Sequence, residues 1–272
     1  MITKIRLMKL YKCLLMACFV VPLSYCFWLL SRVFIFDYFT IPTESMWPTL
    51  RSGDKVVVNK LTMGARIYTD LNFNLDGQEL KSFRLKGFRG VRHNDIVVFN
   101  FANHGGKINF IINNVFCKRC IALPGDSISA VNGHYHNNNY DDVLGVFNEQ
   151  ENLQNTPDSL IEGFWIHPYN NGWNIKNFGP LYVPRKDDVI SIHALEASIY
   201  EVILEWELGK DITWDWDKNE AYADGKVLRN HRFLHNYYFM AGDNVINSCD
   251  SRYWGVVPEE FIVGVVASIL KK

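Results

Sequence analysis

Two of three residue clusters along the chain could together support nucleophilic catalysis. The first, residues 40–50, reads TIPTESMWPTL and places Ser45 between two prolines, which exclude a regular helix and fix the backbone on either side. Such a loop could present a serine hydroxyl, although an ordinary turn would have a similar composition. A serine nucleophile needs a general base, which is usually histidine, but none of the eight histidines has the sequence context of a catalytic triad.

Lys118 is the candidate base. It lies in the largely apolar stretch FCKRCIAL, residues 116–123, where a charged lysine would be costly. Burial would favour its neutral amine by lowering its pKa, and Ser–Lys pairs are an accepted variant of the triad. A lysine beside an arginine is otherwise a typical solvated position. On a strand Arg119 would face the opposite side, so the two would have different roles.

The third cluster, residues 242–258, reads GDNVINSCDSRYWGVVP. Acid and amide side chains and two serines lie between Asp243 and Ser251, directly after a predicted strand. This density of hydrogen-bonding groups exceeds what a turn requires and suits a structural or catalytic role.

A membrane anchor is predicted before these clusters. The apolar run from Cys13 to Phe36 has about 24 residues, interrupted by Arg32, and a spanning helix needs about 20. It is longer than the apolar region of a cleaved signal peptide. The basic residues before it, which are Lys4, Arg6, Lys9 and Lys12, predict a cytoplasmic N-terminus with the rest of the chain outside the membrane.

Most of the remaining chain reads as short strands separated by turns. Apolar, β-branched or aromatic runs predict strands at residues 55–59, 95–101, 107–112, 115–123, 127–131, 198–204 and 237–240. Residues 187–197 are compatible with a short helix. The prediction is a mainly β fold: an N-terminal transmembrane helix, then a catalytic domain of antiparallel sheets with an inserted second β subdomain.

The expected domains are the cytoplasmic N-terminus and anchor at 1–36, a catalytic core at 37–132 and 236–272, and an insertion at 133–235. The insertion is rich in Asn and Trp, and strong motifs lie on both sides of it. A net charge of −1 gives no reason to expect nucleic acid as a partner. Cys117 and Cys120 form a lone CxxC, which is weak evidence for zinc or redox chemistry, so no metal is expected.

Four segments, in order, resemble the conserved boxes of the type I signal peptidase family. Residues 41–50 resemble the nucleophile box, 94–99 the second box, 118–126 the lysine box and 242–255 the last box. They make up a minor part of the chain but extend from the anchor nearly to the C-terminus. One such match would be weak, whereas four in order are specific.

The resemblance implies that Ser45 is the nucleophile and Lys118 the general base. Thr43 matches the residue whose hydroxyl forms the oxyanion hole with the Ser45 backbone N–H, and Ser248 matches the residue that orients the lysine. The residues that match a supporting polar network are Asp243, Asp250, Arg119 and Arg252.

The resemblance also implies an enzyme that removes signal peptides from exported preproteins at the outer face of the cytoplasmic membrane, without a cofactor. Small side chains would be accepted one and three residues before the cut. Substrate would add as a β-strand near residues 56–58 and 95–99, and Met46 and Trp47 would touch lipid. The expected partners are signal peptides, the lipid bilayer and the secretion translocon.

The chain departs from the family pattern at a few positions. Asn94 replaces a usual glycine, Glu44 precedes the nucleophile where a small residue is common, and Val245 and Ile246 replace an Arg-Asp pair. Three other readings stay open at this point. They are a self-cleaving Ser–Lys repressor, a processing enzyme with one dedicated substrate, and an inactive anchored protein that binds signal peptides or assembles a partner.

Overall fold

The computed structural model describes residues 2–69, 82–100, 103–104, 106–108, 114–161 and 173–272. The helices are α1 (Ile2–Phe34), α2 (Phe147–Asn155), α3 (Ala194–Leu208) and α4 (Ser251–Trp254). The first strands are β1 (Phe36–Thr40), β2 (Lys55–Asn59), β3 (Arg66–Tyr68), β4 (Ser82–Arg84), β5 (Ile96–Asn100), β6 (Asn103–His104), β7 (Lys107–Ile108), β8 (Val115–Ala122), β9 (Ser127–Val131) and β10 (His134–Asn137). The later strands are β11 (Phe178–Tyr182), β12 (Val189–Ser191), β13 (Ile212–Asp215), β14 (Glu220–Ala223), β15 (Lys226–Val227), β16 (Asn230–Arg232), β17 (Tyr237–Ala241), β18 (Val257–Pro258) and β19 (Ile262–Leu270).

Helix α1 contains the predicted anchor. Its segment Leu14–Phe34 is long and apolar enough to cross a membrane, and only 6% of its most apolar window is buried against the rest of the chain. A core helix of a soluble protein would be mostly buried, so this exposure favours a helix that is covered by something else. The helix ends at Phe34, and β1 begins two residues later.

The main sheet is antiparallel and has seven strands among the described residues, in the order β1-β2-β19-β5-β8-β17-β18. The predicted strands at 55–59 and 127–131 are confirmed, and those at 95–101, 115–123 and 237–240 agree within about a residue where the structure describes them. Of the predicted strand at 107–112, β7 includes Lys107 and Ile108, and residues 109–112 lie outside the described residues. The mainly β fold is confirmed.

The predicted strand at 198–204 is wrong, because these residues form the middle of α3. The predicted short helix at 187–197 is also misplaced, since β12 occupies part of it and α3 begins only at Ala194. The β-branched and aromatic residues favoured a strand, but the buried positions follow a helical period. Glu196 accepts the N–H of His193 at the start of α3, and Gly209 ends the helix in a left-handed conformation at φ +61°.

Among the described residues, three apolar clusters form the core. The largest joins residues of the catalytic strands, such as Ile121 and Phe239, to residues of the middle segment, such as Leu153 and Ile203. The smallest comprises Ile41, Met46, Leu50, Val56, Val58 and Val98, and it attaches the loop that follows β1 to the face of the main sheet. This small cluster determines where the loop presents its serine.

Candidate active site

Ser45 lies on a loop whose backbone is fixed by buried side chains. Met46 is 1% exposed and Leu50 is fully buried, and the N–H of Leu50 donates to the carbonyl oxygen of Met46 at 2.8 Å. The prediction that Met46 contacts lipid is therefore wrong, because its side chain fills the core beneath the loop. Trp47 is 38% exposed, and its contact with lipid stays a prediction.

The loop brings Ser45 to Lys118. In the sheet β1 and β8 are separated by three strands, which would place them about 19 Å apart if the sheet were flat. The loop crosses the sheet face, so that Lys118 Nζ lies 2.5 Å from Ser45 Oγ. Lys118 is 3% exposed, and burial lowers its pKa, partly offset by the charge of Asp250. A lysine with a lowered pKa can accept the serine proton.

Asn244 attaches the last motif to the nucleophile. Its backbone N–H donates to the carbonyl oxygen of Ser45 at 3.1 Å, and its side chain donates to the carbonyl oxygen of Glu44 at 3.2 Å. Two consecutive carbonyl groups of the loop are thus held by one residue. The family resemblance implies no role for Asn244, although its place in a polar cluster of the sequence is a signal that could identify it.

A second connection joins the same motif to β8. The guanidinium of Arg119 makes a bidentate ion pair with Asp243, with N–O distances of 2.6 and 2.7 Å. Thr49 donates to the same carboxylate, and Arg119 also donates to the carbonyl oxygen of Asn94 at 2.9 Å. Arg119 and Lys118 therefore have different partners, and Arg119 supports the loop rather than contacting the serine.

The third connection is a buried ion pair within the motif. Asp250 and Arg252 are both fully buried and share two hydrogen bonds of 2.8 Å. Asp250 also accepts the N–H of Gly242 at 2.9 Å. Burial opposes ionisation of Asp250, but the charge and hydrogen bonds of Arg252 outweigh it and lower the pKa of the carboxyl.

Thr43 and Ser248 complete the predicted set. The hydroxyl of Thr43 lies 3.3 Å from the Ser45 hydroxyl. Ser248 is 5% exposed, and its Oγ has no hydrogen-bond partner among the described residues, so the expected contact with the Lys118 amine is not formed here. A buried hydroxyl without a partner typically costs about 1–3 kcal/mol, and its role in orienting Lys118 stays a prediction.

The departures from the family pattern have structural explanations. Asn94 adopts φ +65°, a left-handed conformation that glycine and asparagine tolerate best. Its side chain donates to the carbonyl oxygen of Val143 at 2.8 Å. Val245 is buried in the large core cluster and Ile246 is exposed, so this pair adds no ionic contact, while the two ion pairs described above are formed without it.

A cleft of about 750 Å³ opens beside the serine. Its apolar lining consists of Phe39, Ile41, Met46, Val98, Val115, Phe116 and Cys117, with Ser45, Lys118, Glu44 and Cys249 among its polar or ionisable residues.

The prediction that substrate pairs with β2 and β5 is wrong, because both are internal strands with neighbours on each side. By contrast, β1 is an edge strand, and β8 pairs with β17 only from Arg119 onward.

The cysteines near the site are free thiols. Cys120 is fully buried in the core beneath β5 and β17, whereas Cys117 packs against the cluster that holds the serine loop. Burial raises the pKa of Cys117 to about 12, so this thiol stays protonated at neutral pH. Cys249 is exposed in the cleft, and burial of part of its surface together with Asp250 raises its pKa.

Gly242 gives a test of the geometry behind the serine. A methyl group at this position would lie 2.2 Å from Ser248 Oγ and 2.4 Å from the carbonyl oxygen of Ser45. Gly242→Ala is therefore expected to displace the serine loop and to lower kcat/KM by at least about 10-fold, the effect of a small misplacement of reacting atoms. Peptide-bond cleavage assays measure this. Gly90→Ala is the control, because a methyl group there meets nothing within 4 Å, and equal activity of both variants would contradict the prediction.

Several known proteins are similar to this chain. Residues 7–270 match the family described as "Signal peptidase, peptidase S26". Signal peptidase I of Buchnera aphidicola subsp. Baizongia pistaciae (strain Bp) is 30% identical over 255 residues, which are 88% of this chain and 70% of that protein. Signal peptidase I of Buchnera aphidicola subsp. Acyrthosiphon pisum (strain APS) is 32% identical over 241 residues, with 86% and 67% covered. A crystal structure of a signal peptidase I from Enterococcus faecalis V583 aligns with a TM-score of 0.32 at 18% identity, covering 66% of this chain and 98% of that one.

Proposed function

Since the chain belongs to the signal peptidase family, peptidase S26, and is therefore a serine peptidase, we propose that it removes N-terminal signal peptides from exported preproteins with Ser45 as nucleophile and Lys118 as general base. The observation that carries the proposal is the 2.5 Å contact between Lys118 Nζ and Ser45 Oγ. A buried amine next to a serine hydroxyl is suited to proton transfer and to little else.

In the proposed reaction the neutral amine of Lys118 takes the proton of Ser45 as Oγ attacks the scissile carbonyl. The resulting ammonium gives this proton to the nitrogen of the scissile bond as that bond breaks. The part of the substrate that follows the cut leaves as the amine, and the part that precedes the cut stays bound to Ser45 through its carbonyl carbon as an ester. Water, activated by the same amine, then releases it. Thr43 Oγ1, 3.3 Å from Ser45 Oγ, and the Ser45 N–H are the proposed donors to the oxyanion.

The substrate is proposed to lie extended in the cleft between the edge strand β1 and the first part of β8. Main-chain pairing with an edge strand would hold an extended peptide without regard to its sequence. The apolar lining favours small uncharged side chains before the cut, as the family resemblance implies. Glu44 directly precedes the nucleophile and lines the cleft. Its carboxylate would therefore influence which substrate side chains bind next to it.

The chain is proposed to be anchored in the cytoplasmic membrane by α1, with its N-terminus in the cytoplasm. The exposed apolar surface of Leu14–Phe34 and the basic residues before it support this arrangement. The segment between Phe34 and Ser45 is short. Even if this segment were fully extended, Ser45 would lie within about 40 Å of the end of the helix. The catalytic cleft would thus lie close to the outer membrane surface, near a secretion translocon that delivers the preprotein.

The proposal is tested with the full chain in detergent and a preprotein that carries its signal peptide. Wild type is expected to release a product whose mass corresponds to cleavage at the end of the signal peptide. Ser45→Ala is expected to lower the rate by at least about 1,000-fold, because it removes the hydroxyl that contacts the Lys118 amine. Ser159→Ala, an exposed serine outside the site, should cleave normally. Binding of signal peptides without cleavage by wild type would favour the inactive binding protein instead.

A further inference from the structure

A short loop after β4 exposes apolar side chains. Phe88 is 85% exposed and Leu85 is 42% exposed, with the exposed Lys86 between them. Phenylalanine is among the residues most often buried in folded proteins. A ring that is almost entirely outside the fold therefore indicates a surface that something else covers.

Hydrogen bonds and a close packing contact hold the backbone of this loop in place. The N–H of Phe88 donates to the carbonyl oxygen of Leu61 at 3.1 Å, and the N–H of Leu85 donates to that of Ala65 at 2.9 Å. Gly87 packs so closely that a methyl group there would lie 2.2 Å from the carbonyl carbon of Met63. The backbone position from which the exposed Phe88 ring projects is thus fixed by contacts within the fold.

The loop lies beside the end of the anchor helix. Leu61, the backbone partner of Phe88, follows Lys60, whose amine donates to the carbonyl oxygen of Arg32 at 2.6 Å and whose N–H donates to that of Ile35 at 2.9 Å. A chain of direct contacts therefore connects Phe88 to the last turn of α1. Phe88 therefore lies near the end of α1, where the proposed transmembrane segment would leave the membrane.

The end of α1 and the adjoining strand β1 also carry groups that suit a membrane interface. The guanidinium of Arg32 lies over the rings of Trp28 and Tyr38, at 5.3 and 4.9 Å from their centroids. Aromatic residues with basic neighbours are enriched where a spanning helix meets the lipid headgroups. Lys86 adds an exposed positive charge to the loop, which complements anionic headgroups.

We propose that the loop from Leu85 to Phe88 is a second membrane contact, which places Phe88 and Leu85 among the headgroups and upper acyl chains of the bilayer that holds α1. This inference rests on the proposed membrane anchoring. One helix alone leaves the catalytic domain free to rotate and tilt, whereas a second contact restricts both. The loop would therefore fix the height and orientation of the cleft over the bilayer.

The experiment uses the full chain reconstituted in vesicles of phosphatidylethanolamine and phosphatidylglycerol. The photoreactive p-benzoylphenylalanine replaces Phe88 in one variant and Val189, which is 56% exposed on β12, in a matched control. After illumination, lipid attached to the protein is measured by mass spectrometry. Lipid attachment from position 88 and at least about fivefold less from position 189 are expected, because only the first is held next to α1.

A second measurement concerns the consequence for catalysis. The variant Leu85→Ser/Phe88→Ser should fold normally, because both side chains are exposed, and should cleave a short soluble peptide in detergent at the wild-type rate. In vesicles its cleavage of a membrane-bound preprotein is expected to fall severalfold.

In the photoattachment experiment, attachment from position 88 to another protein chain instead of lipid, or equal attachment from both positions, would overturn the proposal. Photoattachment requires no cleavage, so its result stands even if the proposed peptidase reaction fails.

Discussion

A chain in which methionine replaces Lys118 is expected to cleave preprotein on the order of 1,000- to 10,000-fold more slowly than wild type. Methionine keeps most of the length and volume of the side chain but has no group that can accept the serine proton. Lys118→Arg should be as inactive, because a guanidinium stays charged at any accessible pH. Lys210→Met, at an exposed position, is the control and should retain activity.

The pH dependence gives an independent test of the same assignment. Burial lowers the pKa of Lys118 from its ordinary value of 10.5. The active form is the neutral amine, so kcat/KM should rise as pH increases through this lowered pKa and then level off. A profile of kcat/KM on a peptide substrate measures its midpoint. A midpoint at the ordinary lysine value would contradict the assignment of a buried base.

Lys118→Met should also be more stable than wild type. Because the pKa of Lys118 is lower in the folded chain, the unfolded chain binds more protons between the folded and unfolded pKa values, and stability rises with pH across that window. The cost of the buried lysine is therefore fully present below its folded pKa. Removing it should raise the free energy of unfolding most below the folded pKa of Lys118, and this gain should shrink as pH rises toward the unfolded pKa. Loss of both activity and stability would instead indicate a misfolded variant.

The catalytic strands could be predicted because their sequences determine them locally. The strands at 55–59 and 127–131 have alternating or continuous apolar residues between turn residues. The run at 198–204 has similar residues, but a capping interaction at its start, a left-handed glycine at its end and burial against neighbouring strands make it helical. Those determinants depend on tertiary packing, which a local window does not contain.

The site itself could be predicted in its parts but not in its connections. The family resemblance indicated Ser45, Lys118 and the polar residues of the last motif. That Asn244 holds the carbonyl groups of Glu44 and Ser45 depends on how the loops meet, about 200 residues apart in sequence. The prediction of the substrate-binding strands failed for the same reason, because the order of strands in the sheet decides which edges are open to a substrate. The role of residues 133–235 as a separate inserted unit stays a prediction.

Arg252→Met is expected to have the largest effect on stability. It leaves the carboxylate of Asp250 fully buried without its counter-ion, which typically costs about 3–5 kcal/mol. Asp250 also holds the N–H of Gly242, so the loop behind Ser45 should loosen and activity should fall as well. Denaturant unfolding in detergent measures the stability change. Lys218→Met is the control, since its ion pair with Asp215 is solvent-exposed and should contribute little to stability.

The paired variant Asp250→Leu/Arg252→Met separates the ion pair from the packing around it. Removing both charges leaves no unpaired buried ion, so this variant should be more stable than Arg252→Met alone. The lowered pKa of Asp250 means that its contribution is present above the unfolded Asp pKa, about 3.9, and is lost as pH falls through the folded value. Wild type should therefore lose stability relative to the paired variant as pH falls through this range. If the paired variant is no more stable than Arg252→Met, shape rather than charge holds the loop behind the nucleophile.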